Sequence, residues 1–167
     1  MVRGWSAYVR KQPSARDLIQ LKADQRAGAI VSPMVCSLLY VSQRLATRDD
    51  ITAIVEVSRG RNAALDVTGA LVASQNWFAQ ILEGPDRSID ALMTSICRDQ
   101  RHRDVQILIH EDIEERQFAD WALAYNGSAQ FVDGLIEVLA KRAGATPEPY
   151  HLHRLIQCMA EFTRCLQ

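Results

Sequence analysis

The chain has almost no net charge, since 19 basic and 20 acidic residues leave a formal charge of −1. No overall electric field therefore draws it toward nucleic acid or an anionic membrane surface. It also lacks an apolar run long enough to cross a bilayer, and its charged N-terminus has no apolar segment of the kind found in secretory signals. The composition predicts a cytoplasmic protein whose partners are neither nucleic acid nor membrane.

Cysteine is scarce, and the sequence has no C-x-x-C pair. The four cysteines lie in apolar segments and are predicted to be small buried hydrophobes in a reducing compartment. Cys158 and Cys165 are seven residues apart on a predicted helix, which leaves a disulfide or metal role open for that pair. His151 and His153 are two residues apart and diverge on a helix, so we assign no metal ligand there.

Patterns typical of enzymes are also missing. Gly60, Gly69 and Gly84 do not form a G-x-G-x-x-G loop after a strand, so there is no dinucleotide fingerprint. No Ser/His/Asp order and no pair of carboxylates suited to acid–base catalysis stands out. We therefore expect that the protein is not an enzyme.

What the sequence does have is enough apolar material for the core of one domain, with 48% hydrophobic and 23% charged residues among 167. We divide the chain into an N-terminal extension over residues 1–33, a core domain over residues 34–126 and a C-terminal helical extension over residues 127–167. Within the first part, Ser14-Ala-Arg-Asp17 fits the start of a short capped helix.

The core alternates strand and helix patterns. Thr47-Arg-Asp-Asp50 is a capping box that starts one helix, and a second amphipathic helix follows Gly84-Pro85-Asp86. Ser74-Gln75-Asn76 is a short polar loop typical of a β-hairpin. The order β-α-β-β-α-β-β predicts an α+β fold, a ferredoxin-like sandwich with both helices on one face of the sheet. Its strands are predicted at Met34–Val41, Val67–Ala73, Trp77–Leu82, Val105–His110 and Trp121–Tyr125.

Two further helices are predicted after the core. One has apolar residues from Phe131 to Leu139, and the other has a long apolar stripe from Leu152 to Leu166. A stripe of that size is costly to leave in water. It therefore covers the second face of the sheet, forms a dimer or docks a partner, and the sequence leaves these three possibilities open.

Three polar side chains lie at the ends of apolar segments or within them, namely Tyr40, Asn62 and Gln80. Gln80 is the most informative, because it lies mid-strand and by alternation shares the buried face with Phe78 and Leu82. A buried amide without partners costs about 1–3 kcal/mol, so something polar must meet it there. A phenol and an amide that met one flat polar ligand would form a hydrogen-bond relay that can switch.

Six short motifs are similar to those of the BLUF family, sensors of blue light that use FAD. The resemblance covers roughly residues 35–126, and the motifs occur in the family's order and spacing. They are Leu39-Tyr-Val-Ser42, Ser58-Arg-Gly-Arg-Asn62, Val67-Thr-Gly69, Phe78-Ala-Gln-Ile-Leu-Glu-Gly84, Arg98-Asp-Gln-Arg-His102 and Arg116-Gln-Phe-Ala-Asp-Trp121.

The resemblance implies that FAD binds noncovalently between the two helices, with one edge of its ring toward the sheet. It implies that Asn62 bonds the pyrimidine side of the ring and that Gln80 lies between the flavin and the Tyr40 hydroxyl. The other cofactor-binding residues carried over from the motifs are Ser58, Arg61, Asp99, Arg101 and His102.

In a protein of this family, light makes the flavin an oxidant, Tyr40 supplies an electron, and a proton moves through Gln80 and returns. The resemblance further implies that the signal leaves through Trp121 and Leu123. The family often has methionine where this chain has Leu123, which keeps the volume and loses the thioether. We expect binding and photochemistry to survive this change. We expect the change to affect instead the exchange of Trp and Met that is proposed for signalling in the family, and the stability of the lit state.

No output enzyme is recognisable after the core, so the sequence predicts a short photoreceptor that signals through self-association or a separate partner protein. We expect a homo-oligomer. The alternative is a ferredoxin-like ligand-binding module without photochemistry, and a weaker rival is a flavin reductase. The colour and spectrum of the purified protein distinguish all three.

Overall fold

The computed structural model describes residues 35–126, 130–141 and 149–164. The predicted helix at Ser14–Asp17 and the position of Cys165 lie outside these residues. The strands are β1 Val35–Arg44, β2 Thr68–Ala73, β3 Trp77–Pro85, β4 His102–Asp112 and β5 Ala124–Asn126. The helices are α1 Arg48–Ala64, α2 Asp86–Ile96, α3 Gln130–Lys141 and α4 Pro149–Arg164. The predicted ferredoxin-like βαββαββ order with two C-terminal helices is confirmed.

The sheet has the order β4-β1-β3-β2-β5. The neighbours β4–β1, β1–β3 and β3–β2 are antiparallel, and only β5 runs parallel to its neighbour β2. The strand β1 lies near the middle, which explains its continuous apolar run, because both of its faces are buried. No helix in the described ranges is long and apolar enough to span a membrane.

The predicted capping box at the start of α1 is present. Thr47 Oγ1 accepts a hydrogen bond from the Asp50 backbone N–H at 3.2 Å, and Asp50 Oδ2 accepts one from the Thr47 backbone N–H at 2.8 Å. These bonds satisfy two backbone donors at a helix end, so the box fixes where α1 begins.

The strand register places the key polar residues side by side. In the antiparallel β1–β3 pair, Tyr40 lies directly opposite Gln80, and in the β2–β3 pair Leu71 lies opposite Gln80 on the other side. Residues directly opposite on neighbouring strands point to the same face. Tyr40, Gln80 and Leu71 therefore form one row across the sheet.

The two faces of the sheet carry two different helical layers. Leu38, Tyr40 and Leu82 pack with α2, and Leu71 and Phe78 pack with α1. The opposite face packs against α3 and α4, and its buried cluster includes Leu39, Val41, Ala79, Ile81, Ile136, Leu155 and Met159. Of the three possibilities for the last helix, the structure therefore has it covering the second face of the sheet.

The fifth strand is shorter and later than predicted. It begins at Ala124, so Trp121 lies before it rather than within it. The reason is that the backbone carbonyls of 121–123 bond elsewhere, with Gly69 N–H donating to Trp121 O at 2.9 Å. The side chains of Asn62 and Arg59 donate to Ala122 O at 2.8 Å and Leu123 O at 3.2 Å. In contrast, β4 is longer than predicted and runs into the acidic segment as far as Asp112.

Candidate functional site

A cleft of about 200 Å³ lies between α1 and α2 and opens over the sheet. Its walls are mostly apolar side chains from the two helices, and its floor is the sheet row that contains Tyr40, Leu71 and Gln80. The structure brings all eight residues that the sequence suggested for cofactor binding to this one cleft, which they line: Tyr40, Ser58, Arg61, Asn62, Gln80, Asp99, Arg101 and His102. Their roles in binding stay predictions.

The phenol and the amide on the floor are hydrogen-bonded to each other. Tyr40 Oη donates to Gln80 Oε1 at 2.6 Å, a short distance for this type of bond. Tyr40 is fully buried, and its burial raises the pKa of the phenol far above the ordinary value, with smaller contributions from the nearby Cys97 and Asp99. At neutral pH the phenol therefore keeps its proton and acts as a donor.

Gln80 has one bonded end and one end that faces the cleft. Its carbonyl oxygen is occupied by Tyr40, whereas its Nε2 atom has no hydrogen-bond partner among the residues that the structure describes. The residue is only 6% exposed, so water cannot hydrate the amide fully. An amide N–H group in such a place calls for an acceptor on a ligand.

Asn62 is the second amide of the cleft and comes from the last turn of α1. Its Nδ2 donates to Ala122 O at 2.8 Å, so the side chain also holds the segment before β5. Its Oδ1 remains to accept an N–H from a ligand. The residue is 2% exposed, and its backbone carbonyl accepts the N–H of Val67 at 2.9 Å.

The rim of the cleft is charged and internally paired. Arg61 Nη1 donates to Ser95 Oγ at 2.8 Å, which joins α1 to α2 across the opening. Arg101 forms an ion pair with Asp99 at 2.6 Å, and its guanidinium hydrogen bond lowers the pKa of the Asp99 carboxyl. Two arginines at the rim offer charge-assisted contacts to an anionic group.

His102 lies where β4 starts and completes the polar side of the cleft. Its Nδ1 and Ser42 Oγ are 2.9 Å apart and share a hydrogen bond, and its ring packs on Phe78 with centroids 4.6 Å apart. Burial lowers the pKa of His102 to about 4, although Asp99 acts in the opposite direction. The imidazole is therefore neutral at neutral pH.

Trp121 and Leu123, the two residues predicted to carry the signal, do not line the cleft. Trp121 is partly buried and packs against the core under α3 and α4. Leu123 is 2% exposed and packs with Ile51, Val55 and Phe78 on the side of α1. Since Arg59 and Asn62 hold the backbone between them, the pair is connected to the cleft by α1 and reaches both faces of the sheet.

Several residues of the site are not among those predicted from the sequence. Ser95 binds Arg61 across the opening, and Arg59 binds the backbone of Leu123. The apolar period of α1 includes the cleft-lining Ile54, which it indicates only as an ordinary core position, and it gives no signal for Val57, which lines the cleft and is 69% exposed. Other apolar residues that line the cleft are Ala53, Leu92 and Ile96 from the helices and Leu82 from β3.

The residues present fit a flavin ring. Apolar side chains from two helices suit the faces of a flat heteroaromatic group, and the amides of Gln80 and Asn62 suit its polar edge. Gln80 lines the cleft, and its Nε2 has no hydrogen-bond partner among the described residues, so it can donate to an acceptor on such a group. The arginines at the rim suit a phosphate-bearing tail.

Comparison with known proteins gives the same reading. Residues 35–124 match the BLUF family, described as sensors of blue-light using FAD. The photoactivated adenylate cyclase subunit beta of Euglena longa is 39% identical over 90 residues, which are 52% of this chain. The blue light- and temperature-regulated antirepressor BluF of Escherichia coli is 33% identical over 90 residues, 51% of this chain. The dark-state structure of BlrB, a BLUF protein, is 34% identical, with a TM-score of 0.61 over 77% of this chain and 98% of that one.

The matches extend over different shares of the relatives. The chain spans 10% of the length of the Euglena longa cyclase subunit and 22% of the Escherichia coli antirepressor. The match to the family covers more than half of this chain and includes the whole of the cleft. The protein belongs to the BLUF family of blue-light sensors that use FAD.

Proposed function

We propose that this chain senses blue light with FAD held noncovalently in the cleft between α1 and α2. Tyr40 and Gln80 are the residues that respond to excitation of the flavin. The observation that carries the proposal is the 2.6 Å hydrogen bond from Tyr40 to Gln80 Oε1 on the floor of that cleft. It links a buried phenol to an amide whose other end faces the space for the ring.

The cofactor is held by this chain's amides, its apolar walls and its charged rim. Asn62 Oδ1 and Gln80 Nε2 bind the polar edge of the ring, and Ile54, Leu82 and Leu92 pack on its faces. Ser58, Arg61, Asp99, Arg101 and His102 serve the rim, where the arginines face the phosphate-bearing side. When bound, FAD supplies the absorption of blue light and a ring that accepts an electron once excited.

The switching is done by two side chains. Tyr40 gives up an electron, its proton passes from Oη to Gln80 Oε1 along the existing hydrogen bond, and both then return. The Gln80 amide is left with different hydrogen bonds, because its donor and acceptor ends have exchanged by rotation or its amide has tautomerised. No substrate is turned over, and the family's description is likewise that of a sensor.

The signal leaves through the segment of Trp121 and Leu123 and through the helical layer of α3 and α4. Trp121 packs on that layer, so a change of the hydrogen bonds at Asn62 and Arg59 reaches it directly. The output is a change of self-association or the binding of a separate protein in the cytoplasm. Comparing partner capture in the dark and under blue light tests this step, and equal capture counts against it.

The photochemistry is tested by spectroscopy of purified variants. Wild-type protein is expected to be yellow and to show a small reversible red shift after blue light. Tyr40→Phe and Gln80→Leu are expected to keep bound flavin and lose the shift, because each removes one end of the Tyr40–Gln80 bond.

The matched control is Tyr150→Phe, which removes a hydroxyl from an exposed tyrosine far from the cleft and should leave the shift unchanged. A normal photocycle in Tyr40→Phe or Gln80→Leu contradicts the relay. Colourless wild-type protein favours a ligand-binding module without photochemistry, and bleaching by reduced nicotinamide favours a reductase.

A further inference from the structure

A second group of side chains converges at the end of the sheet away from the flavin cleft. Cys36 lies near the start of β1, His110 near the end of β4, and Asp86 is the first residue of α2. None of the three lines the cleft. Cys36 is four residues from Tyr40 along one strand, which separates the two sites by roughly 13 Å.

The fold brings these residues together in a simple way. Cys36 lies opposite Gly84 on β3 and opposite Asp112 on β4. His110 is two residues before Asp112, so it lies diagonally across from Cys36 on the same face of the sheet. After Gly84 the chain turns into α2, and the turn places Asp86 over the Cys36–His110 diagonal.

The three donor atoms lie close to one another. Cys36 Sγ is 3.3 Å from Asp86 Oδ1 and 3.6 Å from His110 Nε2, and His110 Nε2 is 2.9 Å from Asp86 Oδ1. In a tetrahedral zinc site, the usual metal–ligand lengths put a sulfur and a nitrogen ligand roughly 3.6 Å apart, and a nitrogen and an oxygen ligand roughly 3.3 Å apart. The triangle therefore already has nearly the size of one face of such a tetrahedron.

The same distances argue against a nucleophilic triad. In a Cys–His–Asp triad the thiol and the carboxylate meet opposite nitrogens of the imidazole ring. Here both Cys36 Sγ and Asp86 Oδ1 lie on the Nε2 side of His110. Three ligands that converge on one point suit a metal ion and not a relay of protons.

We propose that Cys36, Asp86 and His110 form a binding site for one zinc ion. Thiolate, imidazole and carboxylate together are typical zinc ligands, and the thiolate disfavours calcium and magnesium. A thiolate, a carboxylate and a neutral imidazole carry two negative charges, which the ion's two positive charges balance. That balance matters because the side chains are buried, and an uncompensated charge there is costly.

The site has a route of entry and an unfilled position. The side chains of His110 and Asp86 are 10% and 7% exposed, whereas Cys36 is 1% exposed, so the ion enters from the side of the histidine and the carboxylate. Three protein ligands leave the fourth tetrahedral position to water. The bound ion would join the start of β1, the end of β4 and the first turn of α2.

The test is to measure zinc binding on the full chain, stripped with a chelator and kept in the dark with its flavin. One equivalent of zinc per chain is expected to remain after desalting, by elemental analysis. Cobalt in its place is expected to give the visible bands of thiolate-bound tetrahedral Co²⁺, at longer wavelengths than flavin absorbs. At 100-fold excess over its Kd, zinc should raise the Tm by roughly 5–10 °C.

Cys36→Ser and His110→Gln are each expected to weaken zinc binding by more than about 100-fold, beyond the effect of losing an outer-shell partner. Cys97→Ser and His153→Gln are the matched controls, since neither residue belongs to the group, and both should bind as wild type does. The flavin spectrum of each variant shows whether it has folded. The proposal is overturned if folded wild-type protein retains less than roughly 0.2 equivalents of zinc per chain, given one site per chain. It is also overturned if both site variants bind zinc with unchanged affinity.

Discussion

Polar side chains on the buried face of the sheet set the chemistry of this molecule. Tyr40, Gln80 and Ser42 all lie on strands of the sheet, and each is at most 6% exposed. Each of them meets a polar partner, with Tyr40 bonded to Gln80 and Ser42 to His102. Burial raises the pKa of the Tyr40 phenol and lowers the pKa of the His102 imidazole, so both groups are neutral at neutral pH.

The lowered pKa of His102 predicts how the free energy of unfolding depends on pH. Its pKa is about 4 in the folded protein and about 6.5 in the unfolded chain, so between these values the unfolded state binds the extra proton. The free energy of unfolding should therefore fall by about 1.4 kcal/mol per pH unit as pH drops from 6.5 toward 4, and this contribution should be constant above 6.5. The nearby charges, Asp99 and Arg101, partly offset one another.

Urea denaturation at several pH values measures this slope. His102→Gln removes the titrating group and keeps a side chain that can bond Ser42, so the slope between pH 4 and 6.5 should be smaller in the variant. The carboxylates titrate in both proteins and cancel in the comparison. Equal slopes would mean that His102 is readily protonated in the folded state.

Replacing glycine by alanine is expected to have opposite effects on stability at Gly69 and Gly134. Gly69 has φ of +154°, and a Cβ placed there would lie 2.0 Å from the carbonyl oxygen of Ile81. Gly69→Ala should therefore be strongly destabilising, by more than about 2 kcal/mol. Gly134 lies in α3 with nothing within 4 Å of an added Cβ, so Gly134→Ala should stabilise by about 0.5–1 kcal/mol. Chemical denaturation measures both, and the same sign for the two would contradict the backbone assignment.

At the scale of elements, the helices are fastened to the sheet by side chains and not only by apolar contact. The carboxylate of Asp133 on α3 accepts hydrogen bonds from Ser74 Oγ, from the Asn76 backbone N–H at 3.2 Å and from Asn76 Nδ2 at 2.9 Å. One carboxylate thus closes the β2–β3 turn and positions α3 against it. On the opposite layer, Asn62 and Arg59 of α1 hold the segment before β5.

Asp133→Ala is expected to lower the free energy of unfolding by about 1–3 kcal/mol, because it removes the acceptor of three hydrogen bonds at the turn. The matched control lies one turn further on the same helix. Glu137 pairs only with the exposed Lys141 in the described structure, so Glu137→Ala should cost no more than about 0.5 kcal/mol. Thermal unfolding of the two variants measures the difference, and similar losses would show that α3 is held by its apolar face alone.

The whole molecule has three layers: α1 and α2, the sheet, and α3 with α4. The outer layers do different things, since the first forms the cleft and the second covers the other face of the sheet. Tyr40 and Gln80 lie side by side in the sheet, and Trp121 packs against the cluster that includes the α3–α4 layer. We expect interiors this closely packed to pass small displacements on.

The three-layer arrangement predicts that substitutions on the two faces of α4 differ in their cost to stability. Leu155 is fully buried against the sheet, so Leu155→Ala should cost about 2–5 kcal/mol. Gln157 is exposed on the same helix, and Gln157→Ala should change the free energy of unfolding by less than about 0.5 kcal/mol. Denaturant titration separates the two, and a negligible cost for Leu155→Ala would mean that α4 does not cover the sheet in solution.

The sequence by itself determined most of what is local. The Thr47–Asp50 capping box, the hairpin at Ser74–Asn76 and the alternation that puts Gln80 on the buried face follow from spacing within a few residues, and all are present. The eight cleft residues were predicted from the family motifs, because the periodicity of apolar residues does not indicate which polar side chains form a site. The shift of β5 to Ala124 was missed, because side chains of α1 compete for the carbonyls of 122–123.

Only the tertiary structure decided which distant segments meet. The hydrogen bond between Ser74 and Asp133 joins residues that are 59 positions apart in the sequence. Cys36 and His110, in the group with Asp86, are 74 positions apart. Neither has a local pattern, since each partner alone reads as an ordinary helix or strand residue. The same is true of the cover on the second sheet face, where an apolar stripe fits a sheet, a dimer or a partner equally well. The physical reason is that periodicity reports which side of an element is apolar, whereas only packing decides what lies against that side.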